Sequence, residues 1–253
     1  MNRCRRLLTL LIIALTVGPN PMAAVHPAPV NHSQIIRAMR IPLDPQRPTL
    51  DRIGALRLAE AWLIDSDNTG FGGYSAMAML EQRRFLLGSD TGVLTGFTLN
   101  RDGTISRPFI NPLPAGPGKG EYKEARDLES MAADPARGRI WTAYEHSNQI
   151  WRFSRGLARA EGHVAPPAMR DWNINGGPEG MARLSDGRFL VMAETTGAAA
   201  GTMADAPVDG ATAALLFPAD PVAHPRAQPL RFAYDSQGMG RVTDAAQMPN
   251  GQI

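Results

Sequence analysis

Pairs of short apolar runs recur along the chain, and the second run of each pair ends on an acidic residue. Polar residues typical of a turn separate the two runs, which predicts two antiparallel β-strands per pair. The pairs lie at 73–80 with 85–90, at 127–134 with 140–145 and at 177–184 with 189–194, and a fourth copy opens at 242–249. The sequence therefore predicts a modular β protein whose modules carry acids at equivalent positions.

The spacing of these copies favours an all-β fold of the β-propeller type. The equivalent positions Ser75, Glu129, Glu179 and Asp244 follow one another at intervals of 54, 50 and 65 residues. A four-stranded propeller blade needs roughly 40–50 residues plus loop insertions. A β/α array would need long amphipathic helices, which the pattern beyond the N-terminal segment does not predict. A β-sandwich is the alternative, but it does not explain a motif that repeats in register.

Further apolar runs predict the remaining strands and the core between modules. Strands are predicted to end at Asp65 and to span 92–100, 130–134, 139–145, 149–154, 179–184, 188–194, 215–217 and 230–234. Met77, Met131 and Met181 share one repeat position and are therefore predicted to lie in the core between blades. Residues 195–214 are rich in Gly, Ala and Thr and predict an exposed loop.

The N-terminus has the features of an export signal. Three arginines precede an apolar run at 7–17, and Met22-Ala23-Ala24 offers small residues for cleavage. Residues 1–24 therefore predict a signal peptide, with an uncleaved membrane anchor as the alternative. The pattern assigns 25–50 to an extended lead-in and 51–253 to the propeller domain.

The fourth copy ends at a point where the earlier copies enter a strand. Gly251-Gln252-Ile253 matches Gly138-Arg139-Ile140 and Gly187-Arg188-Phe189. The sequence therefore predicts an incomplete propeller, with enough sequence for about four blades and a truncated C-terminus.

Charge and cysteine content narrow the possible partners and chemistry. The formal net charge of +2 depends on Arg3, Arg5 and Arg6 of the predicted signal, so the mature chain gives no reason to expect nucleic acid or an anionic membrane surface as a partner. Cys4 is the single cysteine and lies in the same segment. A mature chain without cysteine excludes disulfides, thiol catalysis and thiolate zinc sites. We expect an exported protein, periplasmic or secreted, without stable membrane association after signal cleavage.

The repeated acids are the candidate chemistry. The innermost strand of each propeller blade lines a central channel, so equivalent acids point into one space and either take up protons or recruit a cation. Glu129, Glu179 and Asp244 are predicted metal ligands, and a ring of oxygen ligands favours a divalent cation such as Ca²⁺ over zinc. Glu145 and Glu194 at the strand ends are predicted catalytic residues, as general bases. The alternative is that these acids cap turns.

Other residues give weaker signals. Asp127 and Asp90 are minor members of the acidic set, and His146 beside a strand end is expected to be exposed. Ser75 and Ser130 lack the Gly-x-Ser-x-Gly pattern of a serine hydrolase. The Gly-rich stretch at 116–120 lacks the full phosphate-loop spacing, so a flexible linker is favoured.

Several of these motifs resemble one family. Residues 127–135, 140–153 and 176–194 are similar to the family of exported bacterial proteins described as esterase-like activity of phytase, and 243–251 resembles its next motif. The resemblance covers about 50–253 and implies a β-propeller that hydrolyses phosphate esters or other esters. It also implies a longer chain. The true β-propeller phytases are more distant, because the segment 133–141 lacks one aspartate of their calcium-binding motif.

Together these observations predict a metal-assisted hydrolase acting on a small-molecule ester or phosphate ester at a propeller channel. A non-catalytic β-propeller that binds a ligand or a protein partner is the alternative from another class. A lactonase-like propeller enzyme is a third possibility, since that class also uses a channel-bound metal with glutamate ligands.

Overall fold

A computed structural model describes residues 30–80, 83–118, 123–196 and 211–253. The strands are β1 (Arg37–Arg40), β2 (Arg52–Ile53), β3 (Leu56–Arg57), β4 (Trp62–Asp65), β5 (Tyr74–Met79), β6 (Arg84–Ser89), β7 (Val93–Leu99), β8 (Ile105–Pro112), β9 (Leu128–Asp134), β10 (Arg139–Tyr144), β11 (Gln149–Phe153), β12 (Ala160–Val164), β13 (Pro178–Arg183), β14 (Phe189–Thr196), β15 (Thr212–Phe217) and β16 (Leu230–Tyr234). One helical turn, α1 (Lys123–Arg126), and two 3₁₀ turns, Arg155–Leu157 and Pro167–Met169, complete the elements. In the described ranges no helix combines the length and apolar character needed to cross a membrane. The predicted signal peptide at 1–24 lies outside the described residues.

Twelve of the strands form three four-stranded antiparallel sheets. Each sheet is a meander in which neighbours in the chain are neighbours in the sheet: β5–β8 is blade 1, β9–β12 is blade 2 and β13–β16 is blade 3. The inner strands β5, β9 and β13 lie side by side. This arrangement confirms the all-β propeller prediction. Closed propellers have roughly 4–8 blades, so the described residues form an incomplete propeller.

The blades stack through two apolar faces, which we call front and back. Residues directly opposite each other in paired strands share a face, so the register assigns Met131, Ile140 and Phe153 to the front of blade 2. They pack with Leu86 and Leu94 on the back of blade 1. The predicted strand pairs and their alternation thus determine which side chains form the core between blades.

Blades 2 and 3 repeat this contact. Trp141 on the back of blade 2 packs edge-on against Phe189 on the front of blade 3, with ring centroids 4.9 Å apart. At the inner strands, the Ser130 hydroxyl donates to the Pro178 carbonyl at 2.5 Å. A large shared core and a direct polar bond therefore set the position of blade 3 against blade 2.

The lead-in contributes structure that the sequence pattern did not predict. β1 pairs with β4 in a two-stranded sheet, and Ile36 packs with Phe97 and Ile110 on the front of blade 1. The lead-in is therefore folded against the first blade because that blade presents an apolar front. The predicted strand ending at Asp65 is confirmed as β4.

Two further predictions need correction. Met131 and Met181 are 4% and 1% exposed, as expected of core residues, but Met77 is 53% exposed because no blade precedes blade 1 in the described chain. Of the predicted loop at 195–214, residues 195–196 and 212–214 belong to β14 and β15, which pair with each other. Ala211 is also described and is buried, at 1% exposure, whereas 197–210 lie outside the described residues.

Candidate metal and catalytic site

A β-bulge recurs at the same point of every inner strand. On β9, Leu128 and Ser130 oppose the consecutive residues Tyr144 and Ala143, which leaves Glu129 as the extra residue. The register places Glu179 of β13 and Ser75 of β5 in the same situation. A bulge bends the strand and re-aims one side chain away from the ordinary alternation. The equivalence of Ser75, Glu129 and Glu179 that the repeats predicted is confirmed, and its physical basis is this bulge.

A second row of acids lies on the neighbouring strand of each blade, directly after the strand in blades 1 and 2 and within β14 in blade 3. Backbone bonds run from Asp90 N to Gly73 O (3.0 Å), from Glu145 N to Asp127 O (2.9 Å) and from Glu194 N to Gly177 O (3.0 Å). Each bond extends the pairing of the first two strands by one step. Asp90, Glu145 and Glu194 therefore hold equivalent positions beside the bulge residues.

Blades 2 and 3 bring three of the predicted residues into one space. Glu129, Glu145 and Glu179 each offer a carboxylate oxygen, and these oxygens all lie within 4.8 Å of one another. Two of the three come from bulges and the third from the second row. Two of the three predicted metal ligands, Glu129 and Glu179, and one predicted catalytic residue, Glu145, thus share one site.

A second group adjoins the first and shares Glu145 with it. His146 Nδ1 lies 3.4 Å from Asp127 Oδ2 and 3.8 Å from Glu145 Oε2. The His146 side chain is only 23% exposed, so the expectation that it faces solvent was wrong. Its backbone adopts the left-handed region, at φ 35°, two residues after the end of β10. Hydrophobic periodicity gives no signal for such a turn.

Burial and crowding raise the pKa values of these carboxyls. Removal from water, followed by repulsion from Glu179 and Asp127, raises the pKa of Glu129 to about 8. Burial, followed by repulsion from Glu194 and Glu145, raises the pKa of Glu179 to about 8 as well. The pKa of Glu145 is also raised, chiefly by burial, against the opposing effect of a hydrogen bond from the Gly177 N–H. The protein therefore holds protons in this site near neutral pH in the absence of another positive charge.

Gly177 allows the close approach that positions Glu145. Its N–H donates to Glu145 Oε1 at 3.3 Å. A Cβ at this position would lie 2.9 Å from Asn148 Oδ1, which would have to shift, and 3.2 Å from Glu145 Cγ, which is tighter than most side-chain contacts. Asn148 is held in turn by a bond from its Nδ2 to the Trp172 carbonyl at 3.2 Å. A larger residue would thus disturb Asn148 and Glu145 where blade 3 meets the end of β10.

The other predicted site residues lie at the margin of the site. Glu194 Oε1 pairs with Arg241 Nη1 at 3.4 Å. Asp244 is exposed and its Oδ1 accepts the N–H of Ala245 at 2.7 Å. Among the described residues Asp244 belongs to neither carboxylate group. Residues 242–248 form no strand in the structure, so no bulge aims this side chain as one aims Glu129. Its role as a ligand remains a prediction from the repeat alone.

Residues 69–253 match the family model described as phytase-like, esterase-like activity of phytase. The chain belongs to this family. No curated protein sequence matches it. Similar solved structures include the WD40 repeats of RRP9, at 8% identity and a TM-score of 0.40 over 70% of this chain and 43% of that one. Hydrazine synthase of Kuenenia stuttgartiensis shares 11% identity at a TM-score of 0.38, over 71% of this chain and 40% of its own. The phytase-like chain spans less than half the length of these structures.

The donors present in this phytase-like chain fit a hard divalent cation. Oxygens that bind Ca²⁺ lie about 2.3–2.6 Å from the ion, so two of them on opposite sides are separated by about 5 Å. The three glutamate oxygens, all within 4.8 Å of one another, meet this limit. Carboxylates with strongly raised pKa values are stabilised in their charged form when a cation neutralises them. The set Glu129, Glu145 and Glu179 could therefore hold such an ion.

Proposed function

We propose that this phytase-like chain is a metal-assisted hydrolase of phosphate esters or other esters. The observation that supports the proposal is the convergence of Glu129, Glu145 and Glu179, from two blades, on a space no wider than a cation's coordination shell. Two of these acids stand on β-bulges, features that often re-aim side chains next to active sites. The family description names the same class of reaction.

Glu129 and Glu179 would hold a divalent cation, with calcium as the favoured ion. Both carboxyls are half-buried and repel each other, so a cation between them relieves the cost of their ionisation. A bound cation would polarise a phosphoryl or carbonyl oxygen of the substrate and acidify a water molecule. Proton release should accompany cation binding, because both ligands must lose the protons that they hold near neutral pH.

Glu145 is the residue that we assign to proton transfer. Its raised pKa makes it a better proton acceptor than an ordinary carboxylate. The Gly177 N–H fixes one oxygen, and His146 lies near the other. Glu194, which pairs with Arg241, would take a supporting role at the rim of the same site.

Two alternatives remain as competing proposals. Glu145 and Glu194 are partly engaged by protein groups, namely the Gly177 N–H and the Arg241 guanidinium. Such engagement would also suit a non-catalytic module that binds a ligand without turning it over. A lactonase-like enzyme would use the same glutamates but act on a cyclic ester.

The proposed setting is outside the cytoplasm. The predicted signal at 1–24 supports an exported, periplasmic or secreted protein. A small-molecule ester or phosphate ester is the proposed partner, and the charge balance gives no support for nucleic acid.

Hydrolysis of model phosphate and carboxyl esters should be measured while calcium or manganese is titrated into chelator-treated protein. We expect turnover that depends on the cation, and loss of both turnover and the cation-dependent rise in Tm for Glu129→Gln and Glu179→Gln. Glu60→Gln, an exposed acid that pairs with Arg83 away from the site, is the matched control. A thermal shift without turnover would favour the binding module. The absence of both a thermal shift and turnover would overturn both proposals.

A further inference from the structure

A cleft lies between blades 1 and 2, at the end of the strands away from the acidic site. It has a volume of about 520 Å³ and is lined by Leu80, which follows β5 in blade 1, and Pro135, which follows β9 in blade 2. Glu145 follows the opposite end of the six-residue strand β10, so about 20 Å of strand separates the two places. Sites for small molecules usually measure roughly 300–1,000 Å³. The cleft is therefore large enough for a ligand of its own.

Apolar side chains form much of the lining. Leu86 on the back of blade 1 and Ile140 on the front of blade 2 are each 2% exposed. Phe109 of blade 1 and Leu157, in the 3₁₀ turn after β11, are partly buried and pack against the same core cluster. The Phe109 ring lies over Gly96, where a Cβ would collide with it. An apolar ligand body in the cleft would therefore contact hydrophobic surface from both blades.

Three arginines, Arg84, Arg107 and Arg155, line the same cleft. Among the described residues that line it there is no aspartate or glutamate. Within the described chain, none of the three arginines forms an ion pair, whereas the adjacent Arg83 pairs with Glu60 at 2.8 Å. The cleft therefore concentrates positive charge that the described residues leave without a countercharge.

The backbone around Arg107 is unusual. A β-bulge in β8 places two residues, Arg107 and Pro108, opposite the single residue Phe97. Arg107 has a φ of 53°, a left-handed value that is uncommon outside glycine. Arg84 Nη1 donates to the Arg107 carbonyl at 2.5 Å, which supports the bulge. Bulges and residues in rare backbone conformations are concentrated at functional sites, where they re-aim side chains.

Arg84 and Arg155 are also held by their neighbours. The Arg84 guanidinium lies over the Phe109 ring, 5.4 Å from its centroid, in a cation–π contact. Burial, followed by the charge of Arg107, lowers the pKa of Arg84, and a bound anion would relieve that repulsion. Arg155 Nη2 donates to the Ala136 carbonyl in the β9–β10 turn at 3.4 Å. Arginine recognises phosphate and carboxylate groups through paired hydrogen bonds, so the cleft is suited to such an anion.

We propose that the cleft between blades 1 and 2 binds a small organic anion. Its phosphate or carboxylate group would lie among Arg84, Arg107 and Arg155, and its apolar body would lie against Phe109 and Leu157. Both walls belong to blades whose four strands the structure describes. The acidic site has the opposite charge and lies at the other end of the strands, so this second site is independent of the proposed hydrolysis.

Isothermal titration calorimetry in chelator can measure the binding of octanoate and octylphosphonate. These two probes carry the candidate anionic groups on an apolar body, and neither is an ester. Octanol and inorganic phosphate provide the apolar body and the charge separately. Arg107→Gln and Arg155→Gln each remove one charge from the cleft. Both residues are exposed, so folding should be unaffected, which circular dichroism and Tm will verify. Arg101→Gln, exposed in the turn after β7 and outside the lining of the cleft, is the matched control.

We expect the natural chain and Arg101→Gln to bind one equivalent of at least one of the two anions. Arg107→Gln and Arg155→Gln should each bind it at least about tenfold more weakly, because each loses hydrogen bonds to a charged group. Tighter binding of octylphosphonate would identify a phosphate-type ligand and tighter binding of octanoate a carboxylate, and either order supports the proposal. The absence of saturable binding, unchanged affinity in Arg107→Gln and Arg155→Gln, or equally tight binding of octanol or inorganic phosphate would each overturn it.

Discussion

Removing one charge from the acidic site should flatten the dependence of stability on pH. We choose Glu179→Gln, which keeps the shape of the side chain and removes its titration. Glu179 is also the charged neighbour that contributes most to the raised pKa of Glu129. One substitution therefore removes a titrating carboxyl and lowers the pKa of another, although burial still raises the pKa of Glu129 above its ordinary value.

The sign follows from the direction of the pKa change. Both glutamates have a folded-state pKa of about 8 against an ordinary value of 4.5. Between these values the folded protein keeps protons that the unfolded chain has lost, so the free energy of unfolding falls as pH rises. The stability that these bound protons contribute is complete below about pH 4.5 and is lost as the pH rises through about 8.

The change in the free energy of unfolding is smaller than the pKa values alone imply, because the carboxyls are partly exposed and titrate together. A pKa raised from 4.5 to about 8 corresponds in full to about 5 kcal/mol for one carboxyl. Each side chain is only half-buried, and the two share one repulsion, so solvent screening and coupling reduce the effect. We expect a loss of about 1–2 kcal/mol for the natural protein between pH 5 and 9, and less than half of that for Glu179→Gln. A change of 1 kcal/mol corresponds to about 2–4 °C in Tm for a protein of this size.

Tm should be recorded from pH 5 to 9 in chelator and again with calcium. Without the ion, the Tm of the natural chain should fall by several degrees from pH 5 to 9, while the Tm of Glu179→Gln should change little. Calcium should restore the natural chain most strongly at high pH, by about 2.7 kcal/mol at one hundred times the Kd. Glu60→Gln should follow the natural chain throughout.

A natural protein whose Tm in chelator is constant or rises from pH 5 to 8 would refute the reasoning about crowded carboxyls. Equal slopes for the natural chain and Glu179→Gln would refute the assignment of the effect to this site. Calcium rescue of both proteins to the same extent would show that the ion binds elsewhere.

Three other substitutions, with the change at Met77 as a comparison for the first, test the packing by denaturant unfolding. Met131→Ala should cost about 2–5 kcal/mol because it empties a core position, whereas the equivalent change at exposed Met77 should cost less than about 0.5. Gly177→Ala should cost about 1–3 kcal/mol and lower calcium affinity, since its Cβ would displace Glu145. Asp220→Ala should cost about 2–3 kcal/mol, because its carboxylate accepts from both Trp141 Nε1 and Arg152. An unchanged unfolding midpoint for Met131→Ala, Gly177→Ala or Asp220→Ala would contradict the corresponding prediction.

The repeats in the sequence were enough to predict the alignment of the blades and two of the candidate metal ligands. Alignment of the copies made Glu129 and Glu179 equivalent, and the structure places both on bulges. The same alignment included Asp244, but an equivalent position in a repeat does not by itself form the paired strand that a bulge requires. The position of an acid in a repeat therefore predicts a ligand only where the strands of that blade are formed.

Other features could not be read from a single repeat pattern. His146 enters the site through one left-handed backbone angle, which leaves no trace in hydrophobic alternation. Met77 is exposed because burial depends on a neighbour and not on the residue itself. The folding of β1 onto blade 1 joins segments far apart in sequence, and its four-residue run carries too little periodicity to reveal that contact.

The bulge on each inner strand separates the evolution of chemistry from that of packing. The other residues of β9 and β13 lie on one face of the blade or the other, and most are buried, so changing one of them disturbs the packing between blades. The extra residue belongs to neither face, and blade 1 carries Ser75 where its neighbours carry glutamate. The ligand set can therefore be exchanged one blade at a time without rebuilding the scaffold. Loss of that single residue would shift the strand register by one, and the two faces of the inner strand would then trade places.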